Sequence, residues 1–205
     1  MRIGIVKFST SNLFSVKSAC EYFKLNTIIS NDLNELKNMD ALILPGVGSF
    51  KEAMSFLKKN NLVELILNFV EKKKKIMGIC LGYQLLFSKS NEFGICDGLN
   101  VIKGDVKKIS DKLYNNSKKI HTGWNKILLK KKSNIIQEED SRNFFYFTHS
   151  FYAEPEQKKS ILTTTFFNNY EFCSSIELEN IFGCQFHPEK SGETGIKMYY
   201  NFFKK

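Results

Sequence analysis

The chain has 205 residues, 42% of them hydrophobic and 19 of them phenylalanine, which suits one domain, 1–205, with a sizeable core and excludes a disordered chain. The net charge is +9, yet among 30 basic residues only Arg2 and Arg142 are arginines; this argues against a nucleic-acid partner, because phosphate and base-edge recognition exploit the guanidinium fork. Five cysteines with no CxxC pair argue against a disulfide framework and a zinc site and fit a reducing compartment. No apolar run approaches the ~18 residues of a spanning helix, so a cytoplasmic location with no membrane partner is expected.

In chain order the first half alternates strand and helix. "RIGIVKF" reads as a strand, "NLFSVKSACEYFKL" as an amphipathic helix, "NTIIS" as a strand, "DLNELKN" as a short helix and "DALILP" as a strand that ends at a Gly-rich loop. Two helical segments follow over roughly 50–72, then "KKIMGI" as a strand and "YQLLFSKS" as a helix. Such alternation predicts an α/β fold, a mostly parallel mixed sheet with helices on both faces and sites beyond the carboxyl ends of its strands. The second half reads as strands, "LNVIKGDVKKI", "IHTGWNKILL", "NFFYFTH", "SILTTTFF" and "IFGCQFH", with few long crossovers, so antiparallel pairing is expected there. A last helix covers "SGETGIKMYYNFFKK". The lysine runs at 72–75 and 130–132 read as solvated surface, and the positive field suits an anionic substrate or an acidic partner.

One stretch in this pattern asks for chemistry. In "MGICLGYQLLF" a strand runs into Cys80 and a helix follows at once, the shape of a nucleophile elbow. Gly78 and Gly82 suit the crowding of strand, turn and helix, and the unpaired N–H groups at a helix start favour the anionic, nucleophilic form of a thiol. A base is available in "FHPE": His187 closes the last strand, and two residues on in an extended chain Glu189 faces the same way. Cysteine, histidine and carboxylate in that relation form a triad in which the acid orients the base. The glycines of "PGVGSF" let backbone N–H groups approach a developing oxyanion, although a simple turn explains them equally well.

"GICLGYQ" with a later "FHPE" resembles the class I (triad) glutamine amidotransferases. "LILPGVGSF", "IHTGWN" and "YFTHSFY" narrow the resemblance to the glutaminase subunits of imidazole glycerol phosphate synthases, over nearly the whole chain. The resemblance implies the flavodoxin-like class I amidotransferase fold, with Cys80, His187 and Glu189 as catalytic residues. It implies oxyanion donors around Val47, Gly48 and Leu81. It also implies a glutamine pocket drawn from Gly46, Gln84, Glu92, Thr148, His149, Ser150 and Phe151, with Glu92 on the α-ammonium and the backbone of 148–151 on the carboxylate. His149 is a neighbour of the site and not a second base. No metal or organic cofactor is implied. The implied partner is a (β/α)₈ cyclase subunit in a heterodimer, met by a face that includes His121 and Trp124; a core tryptophan is equally consistent. One departure stands out. The family opens its first strand-to-helix loop with Asp-Tyr-Gly-x-Gly-Asn, and here "KFSTSN" keeps only Asn12. That leaves room for a different client, an amidotransferase that forms acetamidino groups on bacterial surface sugars, or for a non-catalytic binding module or a stand-alone hydrolase.

Overall fold

The computed structural model describes residues 1–8, 12–109 and 120–204. Its principal sheet has the order β2-β1-β3-β4-β14-β13-β12-β9. The strands are β1 (Arg2–Val6), β2 (Asn26–Ser30), β3 (Ala41–Leu44), β4 (Lys75–Ile79), β9 (Leu128–Leu129), β12 (Ile161–Phe167), β13 (Tyr170–Leu178) and β14 (Ile181–Cys184). From β2 to β14 every pairing is parallel, and from β14 onward the sheet turns antiparallel. The break comes where the helical crossovers stop, as tight connections require.

Strand periodicity assigns each face its helices. Ile3, Ile5 and Ile43 face one way and pack with α1 (Leu13–Tyr22) and α6 (Gly192–Lys204). Leu42 and Leu44 face the other way, onto α3 (Phe50–Lys59) and α4 (Leu62–Glu71). In α3 the buried stripe Phe50, Ala53, Met54 and Leu57 has the spacing of one helix face. Full burial of each large apolar side chain in these layers contributes roughly 1.5–3 kcal/mol.

Two smaller sheets lie beyond the main one. β8 (His121–Lys126) pairs with β10 (Phe144–His149), and β11 (Phe151–Pro155), β7 (Ile102–Lys108), β5 (Phe87–Ser90) and β6 (Cys96–Asp97) form the other. A one-turn α2 (Leu33–Leu36) and the five-residue α5 (Leu81–Leu85) complete the fold.

The sequence pattern misleads at several places. "YQLLFSKS" is not one helix: α5 ends at Leu85, and Phe87–Ser90 pairs with β6 and β7, so sheet hydrogen bonds override a weak helical preference. "YEFCSSIEL" is the longest strand, and its serines hid it. Ser174 and Ser175 are fully buried, and Thr163 Oγ1 lies 2.9 and 2.6 Å from their hydroxyls. "IHTGWNKILL" divides between two sheets, β8 and β9. "IFGCQFH" ends as a strand at Cys184. The lysine runs also do more than face solvent: Lys74, Lys75 and Lys131 donate to the carbonyls of Met39, Phe202 and Glu177 at 2.7 Å each. In "KFSTSN", positions 9–11 lie outside the described residues.

Candidate active site

Cys80 sits between β4 and α5 with φ 51 and ψ −104, a backbone conformation that costs a non-glycine residue on the order of 1–3 kcal/mol. The surroundings hold it there. Its N–H donates to the Cys184 carbonyl at 2.7 Å, and Gly78 and Gly82 permit the close approach. A Cβ on Gly82 would lie 1.7 Å from the Leu44 carbonyl oxygen, and one on Gly78 2.8 Å from Tyr83 Cα. The glycines are therefore steric requirements of the elbow.

His187 approaches from the end of the neighbouring strand. Its backbone is clamped: the N–H donates to Tyr146 O at 2.8 Å, and Ser191 Oγ donates to its carbonyl at 2.6 Å. Nδ1 lies 2.7 Å from Oε1 of Glu189. The expected extended i, i+2 geometry is not how this contact arises; Pro188–Lys190 is a 3-10 turn that curls Glu189 back under the ring. The Glu189 side chain is fully buried, and Oε2 also receives the Tyr199 hydroxyl at 3.4 Å.

Nε2 of His187 is buried and has no hydrogen-bond partner among the described residues. Burial pushes the imidazole down, but the adjacent Cys80 sulfur and the Glu189 carboxylate outweigh it and raise its pKa to about 10. The raised pKa favours the protonated ring, as befits a group facing a sulfur that can become an anion.

Cys80 opens into a cavity of about 560 Å³ that the remaining expected residues line: Val47, Gly48, Leu81, Gln84, Glu92, Thr148, His149, Ser150 and Phe151. Gly46 stands just behind, its carbonyl accepting the Leu81 N–H at 3.4 Å. Glu92 accepts the Phe50 N–H at 2.6 Å through one oxygen, and burial raises its pKa against that bond. Gln84 is more constrained than the sequence suggested. Its Nε2 donates to Phe151 O and to Gln185 Oε1, each at 2.9 Å, so its oxygen is the atom left for a ligand. The Ser150 and Phe151 carbonyls are likewise engaged, by Ile109 N–H and by His149 with Gln84.

The glutamine amidotransferase class-I family model matches residues 3–205. The chain belongs to the class-I glutamine amidotransferases. It is 41% identical, over 98% of its length and 96% of the relative's, to an imidazole glycerol phosphate synthase subunit HisH of Caldanaerobacter subterraneus. To the protein of that name in Aquifex aeolicus it is 42% identical over 100% and 97%. Among solved structures it resembles that of PurLQS from Thermotoga maritima with a TM-score of 0.76 at 18% identity, covering 99% and 97% of the two chains. A crystal structure of a glutamine amidotransferase aligns at 0.75 and 13% identity, over 98% and 97%. These likenesses show the mixed α/β fold.

Within this amidotransferase, sequence reasoning passed over Gln185 and Lys108 and gave Asn12 no role at the site. Gln185, fully buried, donates from Nε2 to Cys80 Sγ at 3.6 Å; its place two residues before the base was the available signal. Lys108 lines the cavity opposite Glu92 in kind of charge, and nothing in a run of surface lysines marks it out. Asn12 reaches Glu189. The pairing of His121 with Trp124 as one face divides: Trp124 is 57% exposed, whereas His121 is buried between Phe147 and Phe167.

Proposed function

We propose that this chain hydrolyses the side-chain amide of glutamine, with Cys80 as nucleophile, His187 as acid and base, and Glu189 as orienter. The observation that carries the reading is the strained elbow that presents Cys80 to a cavity beside His187, whose Nδ1 is fixed by a buried carboxylate. The Cys80 sulfur attacks the amide carbon, and the tetrahedral oxyanion takes N–H donors from Leu81 and from the loop at Val47 and Gly48. As the C–N bond breaks, His187 Nε2–H gives its proton to the leaving nitrogen, which departs as ammonia. Neutral His187 then takes a proton from water, whose oxygen attacks the thioester carbon. The C–S bond breaks, and glutamate leaves.

Glutamine is a zwitterion at its α-carbon, and the lining supplies one charge of each sign: Glu92 for the ammonium and Lys108, with N–H groups of 148–151, for the carboxylate. Gly46 and the Gln84 oxygen border the chain of the substrate, and Thr148, whose carbonyl lies 4.0 Å from Cys80 Sγ, closes its reacting end.

The full-length similarity to HisH proteins supports a place in histidine biosynthesis. There the chain forms a heterodimer with a (β/α)₈ cyclase subunit, and the ammonia joins a phosphorylated ribonucleotide to give imidazole glycerol phosphate and aminoimidazole carboxamide ribotide. None of the described helices is long and apolar enough to cross a membrane, and we place this single amidotransferase domain, 1–205, in the cytoplasm. The test is glutamate release from glutamine with and without the cyclase. Cys80→Ala is expected to abolish it while the cyclase still uses free ammonia; wild-type release by that variant overturns the assignment.

A further inference from the structure

Asn12 immediately precedes α1, with φ 67 and ψ 1. Asparagine at this place ordinarily caps the helix by accepting from a backbone N–H of the first turn. Here the side chain makes no capping bond. It turns inward instead, and Nδ2 donates to Oε1 of Glu189, 177 residues away in sequence. That is the same oxygen that meets His187 Nδ1 at 2.7 Å. A fully buried carboxylate needs donors for its lone pairs, and among the described residues the second oxygen has only the long Tyr199 contact at 3.4 Å. The other ionisable groups that feel Glu189 are Cys20 of α1 and Cys184 of β14, both thiols pushed up by burial, Cys20 to about 12. Neither supplies a donor to it.

We infer that Asn12 is a positioning residue for the catalytic triad: its amide fixes the Glu189 carboxylate so that Oε1 meets His187 Nδ1 and Nε2 stays presented to Cys80. The inference rests on the triad reading above.

Aspartate separates this role from a structural one. Asn12→Asp keeps the shape and caps a helix as well as asparagine does, but it sets a second carboxylate against Glu189 Oε1 and removes the donor. Asn12→Ala removes the donor without adding charge. With cyclase at saturation, kcat for glutamate release is expected to fall on the order of 10- to 100-fold in Asn12→Ala, as misplacement of a reacting group does, and further in Asn12→Asp. KM for glutamine and ammonia-driven synthesis should stay near wild type. On the isolated chain, the pH profile of Cys80 alkylation by iodoacetamide, followed on the Cys80 peptide by mass spectrometry, is expected to shift in both variants. Wild-type kcat in both variants, an Asn12→Asp enzyme as active as wild type, or a loss confined to cyclase affinity or KM overturns the inference. A wild-type chain that releases no glutamate overturns the amidotransferase reading instead, and the alkylation profile still reports on Asn12.

Discussion

His121 Nδ1 lies 3.0 Å from His149 Nε2, and the two rings form the middle of a one-way hydrogen-bond chain. Asn125 Nδ2 meets His121 Nε2 at 3.2 Å, and His149 Nδ1 donates to the Phe151 carbonyl at 2.8 Å. An amide N–H at one end and a carbonyl at the other fix the direction: each imidazole carries its proton on Nδ1 and accepts at Nε2. Both rings must then be neutral, since either Nε2 would lose its bond on protonation. Burial lowers the His121 pKa to about 4; burial, with the neighbouring His121, lowers that of His149 to about 3.

These shifts make folding sensitive to acid. The unfolded chain takes up two protons near pH 6.5 that the folded protein refuses until pH 3–4, so stability is full above 6.5 and is lost as pH falls toward the folded values. The expected loss is on the order of a few kcal/mol, the two sites being coupled. His187 acts in the opposite sense, its raised pKa removing stability as pH rises from 6.5 toward 10, so it offsets part of the change at pH 7.5 and the comparison of wild type with a His121 variant carries the test. Urea denaturation at pH 7.5 and pH 5 should show the loss, and His121→Gln should reduce it. An unchanged pH slope in that variant contradicts the neutral-pair assignment.

Gly82 of the elbow and Gly48 of the loop after β3 predict an unequal pair of substitutions. Gly82→Ala places a carbon 1.7 Å from the Leu44 carbonyl oxygen, so strand or helix must move, whereas an added Cβ at Gly48 meets nothing within 4 Å and bears only the strain of φ 121. Strain of that kind costs about 1–3 kcal/mol. Gly82→Ala should cost more than Gly48→Ala in denaturant midpoint and should displace Cys80 enough to remove glutaminase activity. Equal stability of the two variants would show that the elbow has slack.

Charge complementarity in the cavity predicts effects on binding. Glu92→Gln keeps an acceptor for the Phe50 N–H and so keeps the start of α3, but it loses the counter-charge for an ammonium. Lys108→Met keeps the stem and loses the cation. Each should raise KM for glutamine roughly 10- to 100-fold, the worth of one hydrogen bond to a charged group, with a smaller change in kcat. Steady-state kinetics at saturating cyclase decides; unchanged KM in Lys108→Met removes that residue from the pocket's function.

Much of this site was legible in the sequence because its chemistry is local. Gly78, Cys80 and Gly82 lie within one turn of each other, and His187 and Glu189 are two residues apart, so residue types and spacing alone suggested an elbow and a base with its acid. The parallel half of the sheet was legible for the same reason, each strand being followed by the helix that covers it. What escaped depends on distant contacts. Tyr170–Leu178 is a strand because Thr163 satisfies its buried serines, Gln185 and Asn12 matter through partners remote in sequence, and His121 separates from Trp124 because β8 turns alternate residues to opposite faces. Periodicity does not carry such information; register does.

The Leu81 N–H, one of the expected oxyanion donors, is already engaged. In the resting protein this group donates to the Gly46 carbonyl at 3.4 Å, near the long limit for such a bond. The Gly46 carbonyl and the Val47 N–H belong to one peptide unit. Rotating that unit withdraws the carbonyl from Leu81 and swings the Val47 N–H in the opposite sense, so one motion both frees a donor and moves a second. Gly46, at φ 149, has the freedom such a rotation needs. The free chain should therefore hydrolyse glutamine slowly, and a partner that favours the rotated peptide should activate it. Coupling of this kind is typically worth 1–3 kcal/mol, roughly 5- to 150-fold. Purified chain is to be mixed with the cyclase, with binding followed by calorimetry and glutamate release measured with and without the cyclase's ribonucleotide. Activation that needs both supports the peptide switch and the histidine-pathway partner together. Full activity in the free chain shows that the resting loop is already competent. Failure of the cyclase to bind, with activation by a sugar amidotransferase, assigns the ammonia to that client.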